Sequence, residues 1–225
     1  MKTALIITPH YGPIDTEHDQ CVRRTMKANG FQLLRAGGSA IDQVRTSMAC
    51  LALENSDADV FLWIDSDIVF DPSDAASIVE QARDLKLVCG AYSEKKPGGA
   101  MCFQASDATP KTLHFSKELG STVGIYGAGF GFVATHRCVF ERLREILPAA
   151  TLGCGGQNTA PYFMPLIRNG GYAGEDFSFF IRARDAGFPL YLDTRVRLGH
   201  KGAYTYRIED TFYKTPTVTD FEINL

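Results

Sequence analysis

The amino-acid sequence predicts an α/β protein with a mostly parallel central sheet flanked by helices and with a short antiparallel excursion. Three observations support this fold class. Apolar runs of strand length alternate with helical patterns up to about residue 90, the order that produces parallel βαβ units. One apolar run is followed directly by two carboxylates, Asp65 and Asp67, and open α/β sheets bind ligands at the carboxyl ends of their strands. Between residues 101 and 126, short apolar runs are separated by turn residues, which indicates antiparallel pairing.

The elements of the first half follow from apolar periodicity and from helix start and stop signals. In chain order they are a strand over residues 3–8, a helix over 16–29, a strand over 31–34, a helix from 37–39 to about 55–57, the strand before Asp65, a helix over 72–85 and a strand over 87–92. The first strand ends at Pro9 because proline cannot continue a strand ladder. Gly30 ends the first helix, and Pro72 begins the third.

The second half contains more glycine and shorter apolar runs. Its predicted elements are a mobile loop over residues 93–100, short strands over 101–104, 112–115 and 122–126, a helix over 134–147, a long loop over 148–171, a helix from 174 to 186, short strands over 189–192 and 196–198, and a tail from residue 204. A loop as long as 148–171 is usually functional or disordered. The tail is interpreted either as a lid or as a loose terminus.

Length and charge favour one domain over residues 1–225 and limit the classes of partner. The chain has 225 residues, of which 45% are hydrophobic, enough to bury one substantial core. The formal net charge is −3 and the isoelectric point is near 6.0. Without a basic field, neither nucleic acid nor an anionic membrane surface is an expected partner.

The cysteines and the apolar segments predict a cytoplasmic protein. The six cysteines form no CxxC pair and have no regular spacing, which disfavours both a zinc site and a disulfide framework. The apolar run near the amino terminus is too short for a signal peptide, and no run is long enough for a transmembrane helix. We therefore expect no transmembrane segment and a cytoplasmic location, in a cell or a virus-infected cell.

The pair Asp65 and Asp67 is the first candidate functional feature. Both carboxylates follow a predicted buried strand, at the edge where ligands bind. Carboxylate oxygens suit Mg²⁺ or Mn²⁺, which also accept the phosphate oxygens of a substrate. The alternative is that these residues form a turn that caps the next helix. Because Asp71 provides a separate helix start, a metal-bound diphosphate is the favoured hypothesis.

Two loops near the predicted strand ends are further candidates. Lys95 and Lys96 lie in the first of them, either solvated or as cations beside a diphosphate. The second contains Gly127, Gly129 and Gly131, which do not fit the dinucleotide-binding pattern because no acidic strand end follows at the required distance. We interpret these glycines as positions where the backbone passes close to a ligand or another strand.

Taken together, four segments resemble a small glycosyltransferase of the Rossmann-like GT-A fold. They are FLWIDSDIVF, the preceding helix with VRTSMACLAL, GAGFGFVATHRCVFERL, and GEDFSFFIRARDAGFPLYLDTRVRLGHKG. The resemblance covers most of the chain, and the ordered set of DxD, GxGF, GED and GH is more specific than any one motif. It implies a nucleotide-sugar donor, a UDP- or GDP-sugar, bound with Mn²⁺ or Mg²⁺, and an acceptor hydroxyl on a glycan, lipid or protein.

The resemblance also assigns roles to residues of the site. Asp67 is the direct ligand of the cation, Asp65 serves the ribose or a metal-bound water, and His200 is the later metal or diphosphate ligand. Glu175 and Asp176 lie where such enzymes carry the acceptor contact or the general base. Which of these two is catalytic stays open, because adjacent helical residues diverge by about 100°.

The nucleotide pocket is the other site that the resemblance implies. The residues that it places there are Thr8, Pro9, Arg45, Asp65 and Gly129. On sequence spacing alone, Arg45 has a second interpretation as half of a surface ion pair with Asp42, three residues earlier on the same helix.

Two other functions remain as alternatives. Asp65, Ser66 and Asp67 also fit the DxDxV pattern of haloacid-dehalogenase-like phosphatases, in which the first Asp is the nucleophile and Mg²⁺ the cofactor. Two βα units precede the motif here, whereas in that family it usually ends the first strand. The second alternative is a non-catalytic module that binds a nucleotide sugar or glycan. The nucleotide base, the sugar, the acceptor, the stereochemistry and the oligomeric state stay undetermined.

Overall fold

The computed structural model describes residues 3–152, 157–211 and 221–224. In chain order the first part contains β1 (Ala4–His10), α1 (Thr16–Asn29), β2 (Gln32–Gly37), α2 (Ile41–Asn55), β3 (Val60–Ile64), β4 (Ile68–Val69), α3 (Pro72–Leu85) and β5 (Leu87–Cys89). The middle part contains β6 (Phe103–Gln104), β7 (Thr112–Phe115), β8 (Thr122–Ile125), β9 (Gly127–Ala128), β10 (Phe132–His136) and α4 (Arg137–Ile146). The last part contains β11 (Ala150–Leu152), β12 (Gln157–Thr159), β13 (Leu166–Arg168), β14 (Gly171–Ala173), α5 (Glu175–Asp185), β15 (Leu190–Asp193), β16 (Gly199–Lys201), β17 (Thr205–Arg207), a 3-10 turn (Ile208–Asp210) and β18 (Phe221–Asn224).

The central sheet has seven strands in the order β2-β1-β3-β10-β5-β15-β8. Strand β1 pairs in parallel with β2 and β3, and β5 pairs in parallel with β15. Strand β10 is inserted antiparallel between β3 and β5, and β8 runs antiparallel at the edge beside β15. The predicted α/β class, with a largely parallel sheet and an antiparallel excursion, is confirmed.

Successive side chains of the central strands point to opposite faces of the sheet, and each face carries an apolar layer. In β3, Phe61 and Trp63 belong to the cluster that includes residues of α2, α4 and α5. Leu62 and Ile64 belong to the cluster on the opposite face, with residues of α1 and α3. This division follows from the two-residue period of a strand. Both faces are covered, which explains why β3 reads as a continuous apolar run in the sequence.

The predicted helix over residues 134–147 is partly wrong. Residues 132–136 form strand β10, and the helix begins only at Arg137. Strand β10 lies between β3 and β5 and pairs with both, so its first four residues are buried on two sides. The boundary is set by His136, whose side chain accepts a hydrogen bond from the Cys138 N–H as an N-cap.

Several other boundaries differ from the sequence predictions. The strand expected over residues 196–198 is wrong, and pairing begins at Gly199, which lies opposite both β4 and β17. The segment 148–171 is not a structureless loop: its described residues contain the hairpin pairs β11–β12 and β13–β14. Strand β5 is shorter than predicted and β2 is longer.

Part of the predicted tail is ordered by pairing with the rest of the fold. Strand β17 pairs with β16, which in turn pairs with β4, and β18 pairs antiparallel with β7. The remainder of the tail, residues 212–220, lies outside the described residues. Within the described part of the chain, no helix has the length and apolar character needed to span a membrane.

Candidate active site

Asp65 and Asp67 lie in a turn at the carboxyl end of β3, as predicted. The Asp65 N–H donates to the Gly131 carbonyl, with an N···O distance of 3.0 Å, and the Ile68 N–H donates back to the Asp65 carbonyl at 3.1 Å. After this turn, β4 pairs antiparallel with β16 so that Ile68 lies opposite His200. The Lys201 N–H donates to the Asp67 carbonyl at 2.7 Å. The pairing therefore brings β16, which contains His200, against the turn that carries Asp65 and Asp67.

Asp67 and His200 face each other across this pairing. Nε2 of His200 lies 3.7 Å from Oδ1 of Asp67, and Nδ1 lies 2.8 Å from the Ser93 carbonyl oxygen. Because a carbonyl only accepts, Nδ1 carries the proton, and Nε2 of the neutral ring keeps its lone pair. Burial lowers the pKa of His200, against smaller opposing effects of the Ser93 hydrogen bond and Asp67. The imidazole is thus held neutral, with its free nitrogen directed toward a carboxylate.

This pair fits a divalent cation that is shared with a substrate. Oδ1 of Asp67 is buried and has no hydrogen-bond partner among the described atoms, while Oδ2 accepts from the Lys95 ammonium. In the described residues, no group of three or more His, Cys, Asp or Glu side chains is arranged to hold a metal. A cation here would have two protein ligands, which suits metals that complete their shell with waters and substrate phosphates.

Arg45 forms the centre of a second cluster. Its side chain is 3% exposed, and one terminal nitrogen donates to both oxygens of Asp65 at 2.9 and 3.1 Å. The other terminal nitrogen donates to Glu175, with an N···O distance of 3.1 Å, and to Asp176. The guanidinium also lies over the Phe130 ring, 5.3 Å from its centroid. One buried cation therefore joins α2, the end of β3 and the start of α5.

The interpretation of Arg45 as half of a surface ion pair with Asp42 is wrong. Helix α2 turns Arg45 toward the sheet edge, where long-range packing surrounds it with carboxylates that are distant in sequence. Burial alone would lower the pKa of Arg45, but the Asp65 and Asp176 charges outweigh that effect and the pKa is raised. Arg45 thus stays charged in this position.

Asp176 is a carboxylate of this cluster whose pKa is shifted. Burial, the largest effect, raises its pKa to about 7, and the neighbouring Glu175 and Asp65 charges act in the same direction. The Arg45 charge and a hydrogen bond from the Phe130 N–H oppose this shift. Three carboxylates share one guanidinium, so one of them remains only partly compensated. A carboxyl group that titrates near neutral pH is suited to accept a proton from a substrate hydroxyl.

The predicted nucleotide residues Thr8 and Pro9 lie at the carboxyl-terminal part of β1, opposite Arg35 and Ala36 of β2. Thr8 is fully buried, and its Oγ1 has no hydrogen-bond partner among the described atoms. The structure brings Asp65, Arg45, Glu175 and Asp176 into one cluster, and Asp67 and His200 into the other. Thr8 and Pro9 are on the same sheet edge but in neither cluster.

Gly129 makes room for a tyrosine side chain. A Cβ atom at Gly129 would lie 2.2 Å from the Tyr92 hydroxyl oxygen, and the Gly131 N–H donates to that oxygen at 3.0 Å. The Tyr92 ring contacts the His200 ring edge-on, with centroids 4.9 Å apart. Tyr92 and Ser93 were not predicted as site residues. The only sequence signal for them is their position just after an apolar strand, which many structural residues share.

Comparisons with known proteins agree with the predicted fold. No known family profile matches the chain, and no curated protein sequence matches it. The crystal structure of A197 from STIV is similar with a TM-score of 0.58 and 16% identity, over 96% of both chains. The structure of GalNAc-T7 with UDP, GalNAc and Mn²⁺ has a TM-score of 0.55 and 13% identity over 96% of this chain, which spans 46% of that one. The inositol-1-phosphate CTP transferase from T. maritima has a TM-score of 0.50 and 8% identity, over 89% of both chains.

These identities are low, and the likeness is one of fold. The Rossmann-like GT-A fold predicted from the sequence is confirmed by the sheet order and by these structures.

Proposed function

We propose that the protein is a metal-dependent glycosyltransferase that moves a sugar from a UDP- or GDP-sugar to an acceptor hydroxyl on a glycan, lipid or protein. The observation that carries this proposal is the Asp67–His200 pair. Its imidazole nitrogen is oriented by the Ser93 carbonyl and faces an unpartnered carboxylate oxygen. The pair lies at the ligand-binding edge of a fold that is similar to GalNAc-T7.

Asp67 and His200 are the residues that would hold Mn²⁺ or Mg²⁺. Imidazole is a ligand that Mn²⁺ accepts better than Mg²⁺ does. When bound, such a cation would neutralise the negative charge that develops on the leaving diphosphate. Lys95, which contacts the other oxygen of Asp67, would provide a second positive charge beside the same phosphates. Thr8, Pro9 and the backbone near Gly129 would contact the rest of the donor.

In this proposal Asp176 is the general base. Its raised pKa means that it can accept the proton of an acceptor hydroxyl near neutral pH. Arg45 donates to Asp176 and so orients it. The same guanidinium also donates to Glu175 and to Asp65. Arg45 therefore fixes the position of the base relative to the end of β3. In this proposal Arg45 has a positioning role, and its contact with the nucleotide stays a prediction.

A thermal-shift screen tests the donor and the metal together. UDP- and GDP-sugars are added with Mn²⁺, with Mg²⁺ and with a chelator. A donor that binds the folded state at about 100 times its dissociation constant stabilises by about 2.7 kcal/mol, and we expect this only with the cation. No stabilisation by any donor in either metal would contradict the proposal.

A turnover assay separates the alternatives that share this fold. Release of UDP or GDP from the sugar nucleotide supports a glycosyltransferase, and release of pyrophosphate from a nucleoside triphosphate supports a nucleotidyltransferase such as the T. maritima neighbour. Binding without turnover supports a non-catalytic module. Hydrolysis of a phosphate ester would support the phosphatase, which the geometry disfavours because both oxygens of Asp65 accept from Arg45.

A further inference from the structure

A cavity of about 350 Å³ lies beside the first turn of α5. The residues in its lining that matter here are Gln104, Tyr126, Asn169, Tyr172, Gly174 and Phe177. Three of them are aromatic and two carry amide side chains. The volume lies within the range of small-molecule sites, and the mixture of apolar faces with a few polar groups is typical of them.

The outer wall of this cavity is attached firmly to α5. The wall is the β13–β14 hairpin, which turns at Asn169 and Gly170 with positive φ angles of 52° and 76°. The Ser178 hydroxyl accepts from the Leu166 N–H and donates to the Ala173 carbonyl, both at 2.9 Å. Arg168 also pairs with Asp185 at 2.7 Å. The hairpin is therefore held to the helix at both of its strands.

The cavity shares the first turn of α5 with the carboxylate cluster. Gly174 and Phe177 line the cavity, and Glu175 and Asp176 between them contact Arg45. The opposite wall continues from Tyr126 into Gly127, where a Cβ atom would lie 2.7 Å from the Phe177 ring. Glu175 and Asp176 do not line the cavity themselves, but a molecule in the cavity would lie against the helix turn that carries them.

The chemistry of the lining favours an uncharged saccharide over an anionic ligand. Arg168 lines the cavity, but its guanidinium is paired with Asp185. Arg184 lies over the ring of the lining residue Tyr126, 4.0 Å from its centroid. Aromatic faces match the apolar C–H faces of a pyranose, and the amides of Gln104 and Asn169 match its hydroxyl groups. Tyr172 is 75% exposed and is therefore available for such a contact.

We propose that this cavity is the acceptor subsite and that it binds a sugar ring whose hydroxyl faces the start of α5. This inference rests on the proposed glycosyltransferase function. It narrows the acceptor from any hydroxyl compound to a glycan, and it assigns specificity to the β13–β14 hairpin.

Saturation-transfer NMR with methyl glycosides tests the proposal. The probes are the methyl α- and β-pyranosides of glucose, galactose, mannose and xylose. At least one should bind the wild-type protein, and Tyr172→Ala and Gln104→Ala should each weaken that binding about fivefold, as expected for one aromatic or one hydrogen-bonding contact. Ile167→Ala is the matched control, because Ile167 lies in the same hairpin and is 79% exposed but is not among the residues that line the cavity. It should leave binding unchanged.

Nucleotide binding, measured on the same variants, separates this inference from the proposed function. If UDP or GDP binds with Mn²⁺ but no glycoside does, the acceptor subsite is overturned while the transferase proposal stands. If a glycoside binds and responds to Tyr172→Ala but no nucleotide binds, the saccharide site stands and the transferase proposal fails. Equal effects of Tyr172→Ala and Ile167→Ala would also overturn the subsite, since both would then report on the hairpin as a whole.

Discussion

At the scale of residues, Arg45 is a single buried side chain that links three carboxylates of the candidate site. It is 3% exposed and contacts Asp65, Glu175 and Asp176. Removing a buried cation leaves its carboxylates uncompensated, which commonly costs about 3–5 kcal/mol. We expect Arg45→Met to lower the free energy of unfolding in urea by an amount of this order. Arg23→Met is the control, because Arg23 is 73% exposed beside Asp19 and exposed pairs contribute at most about 1 kcal/mol. Equal losses would contradict the role of Arg45 as a buried cation that compensates three carboxylates.

Asp67→Ala should abolish metal-dependent nucleotide binding and leave the fold intact. The side chain is 34% exposed and its removal eliminates the carboxylate that faces His200, so little stability depends on it. Calorimetric titration of UDP and GDP with Mn²⁺ measures the effect. Asp107→Ala, an exposed change in a distant turn, should bind as the wild type does. Unchanged Mn²⁺-dependent affinity in Asp67→Ala would remove Asp67 from the metal site.

The raised pKa of Asp176 predicts a pH dependence of activity. Transfer should increase with pH through about 7, where the Asp176 carboxyl loses its proton. Asp176→Asn should reduce kcat strongly and remove this ascending limb, with little effect on nucleotide affinity. A pH–rate profile of the wild type that is flat between pH 5 and 8 would exclude Asp176 as the base.

The same pKa shift predicts a pH dependence of stability. The folded-state pKa of Asp176 is raised above its ordinary value of 3.8 to about 7. The stabilising contribution is therefore complete below the unfolded-state pKa and is lost as the pH rises through the folded-state pKa. Relative to the wild type, Asp176→Asn should gain about 2–3 kcal/mol in free energy of unfolding between pH 5 and pH 8, because one pKa unit corresponds to about 1.4 kcal/mol. Urea unfolding of both proteins at pH 5 and pH 8 measures this. The prediction is contradicted if the difference in free energy of unfolding between the variant and the wild type is equal at the two pH values.

At the scale of elements, the segment between β9 and β10 needs a glycine at position 129 because of close packing, and not because of an unusual backbone conformation. A methyl group at Gly129 would clash with the buried Tyr92 hydroxyl, whereas one at Gly124 would meet nothing within 4 Å. Overpacking of this kind costs about 1–3 kcal/mol. Gly129→Ala should therefore destabilise by about that amount and Gly124→Ala should have a much smaller effect. Adding Tyr92→Phe should recover part of the loss, because it removes the clashing oxygen.

The strands and helices with strong periodicity were predicted correctly, and those with a weak or misleading pattern were not. Helices α1 and α3 have the predicted bounds, Thr16–Asn29 and Pro72–Leu85, because their boundary signals are local. Gly30, with φ of 69°, ends α1, and Pro72 at the first position begins α3. The predicted helix over residues 134–147 includes the last three residues of β10, because the partners of this strand, β3 and β5, are distant in sequence. Strand pairing of this kind has no local signature.

At the scale of the whole molecule, the two apolar layers share one sheet. Trp63, the only tryptophan of the chain, is fully buried in β3 and packs edge-on against Phe130 and Phe163. We expect residues 1–225 to unfold in a single cooperative step, because neither layer can lose its packing without exposing the sheet. Trp63 fluorescence and far-ultraviolet circular dichroism should give coincident urea transitions. Two separated transitions would contradict the single-domain prediction.

The sequence by itself determined the fold class and the position of the DxD turn. These depend on local information: apolar periodicity, helix stops and the placement of polar residues directly after apolar runs. The other candidate site residues, His200 among them, come from the resemblance of four segments to a known family, and their roles stay predictions.

Only the tertiary structure decided which of these residues act together. The Asp67–His200 pair forms because β4 pairs with β16, and Arg45 meets Asp65 and Asp176 because α2, β3 and α5 converge at one sheet edge. The Tyr92 contact with Gly129 and the cavity behind the β13–β14 hairpin likewise join segments that are far apart in the chain. Burial and charge at these meeting points shift the pKa values of Asp176 and His200. Such shifts depend on neighbours in space, which a linear pattern does not contain.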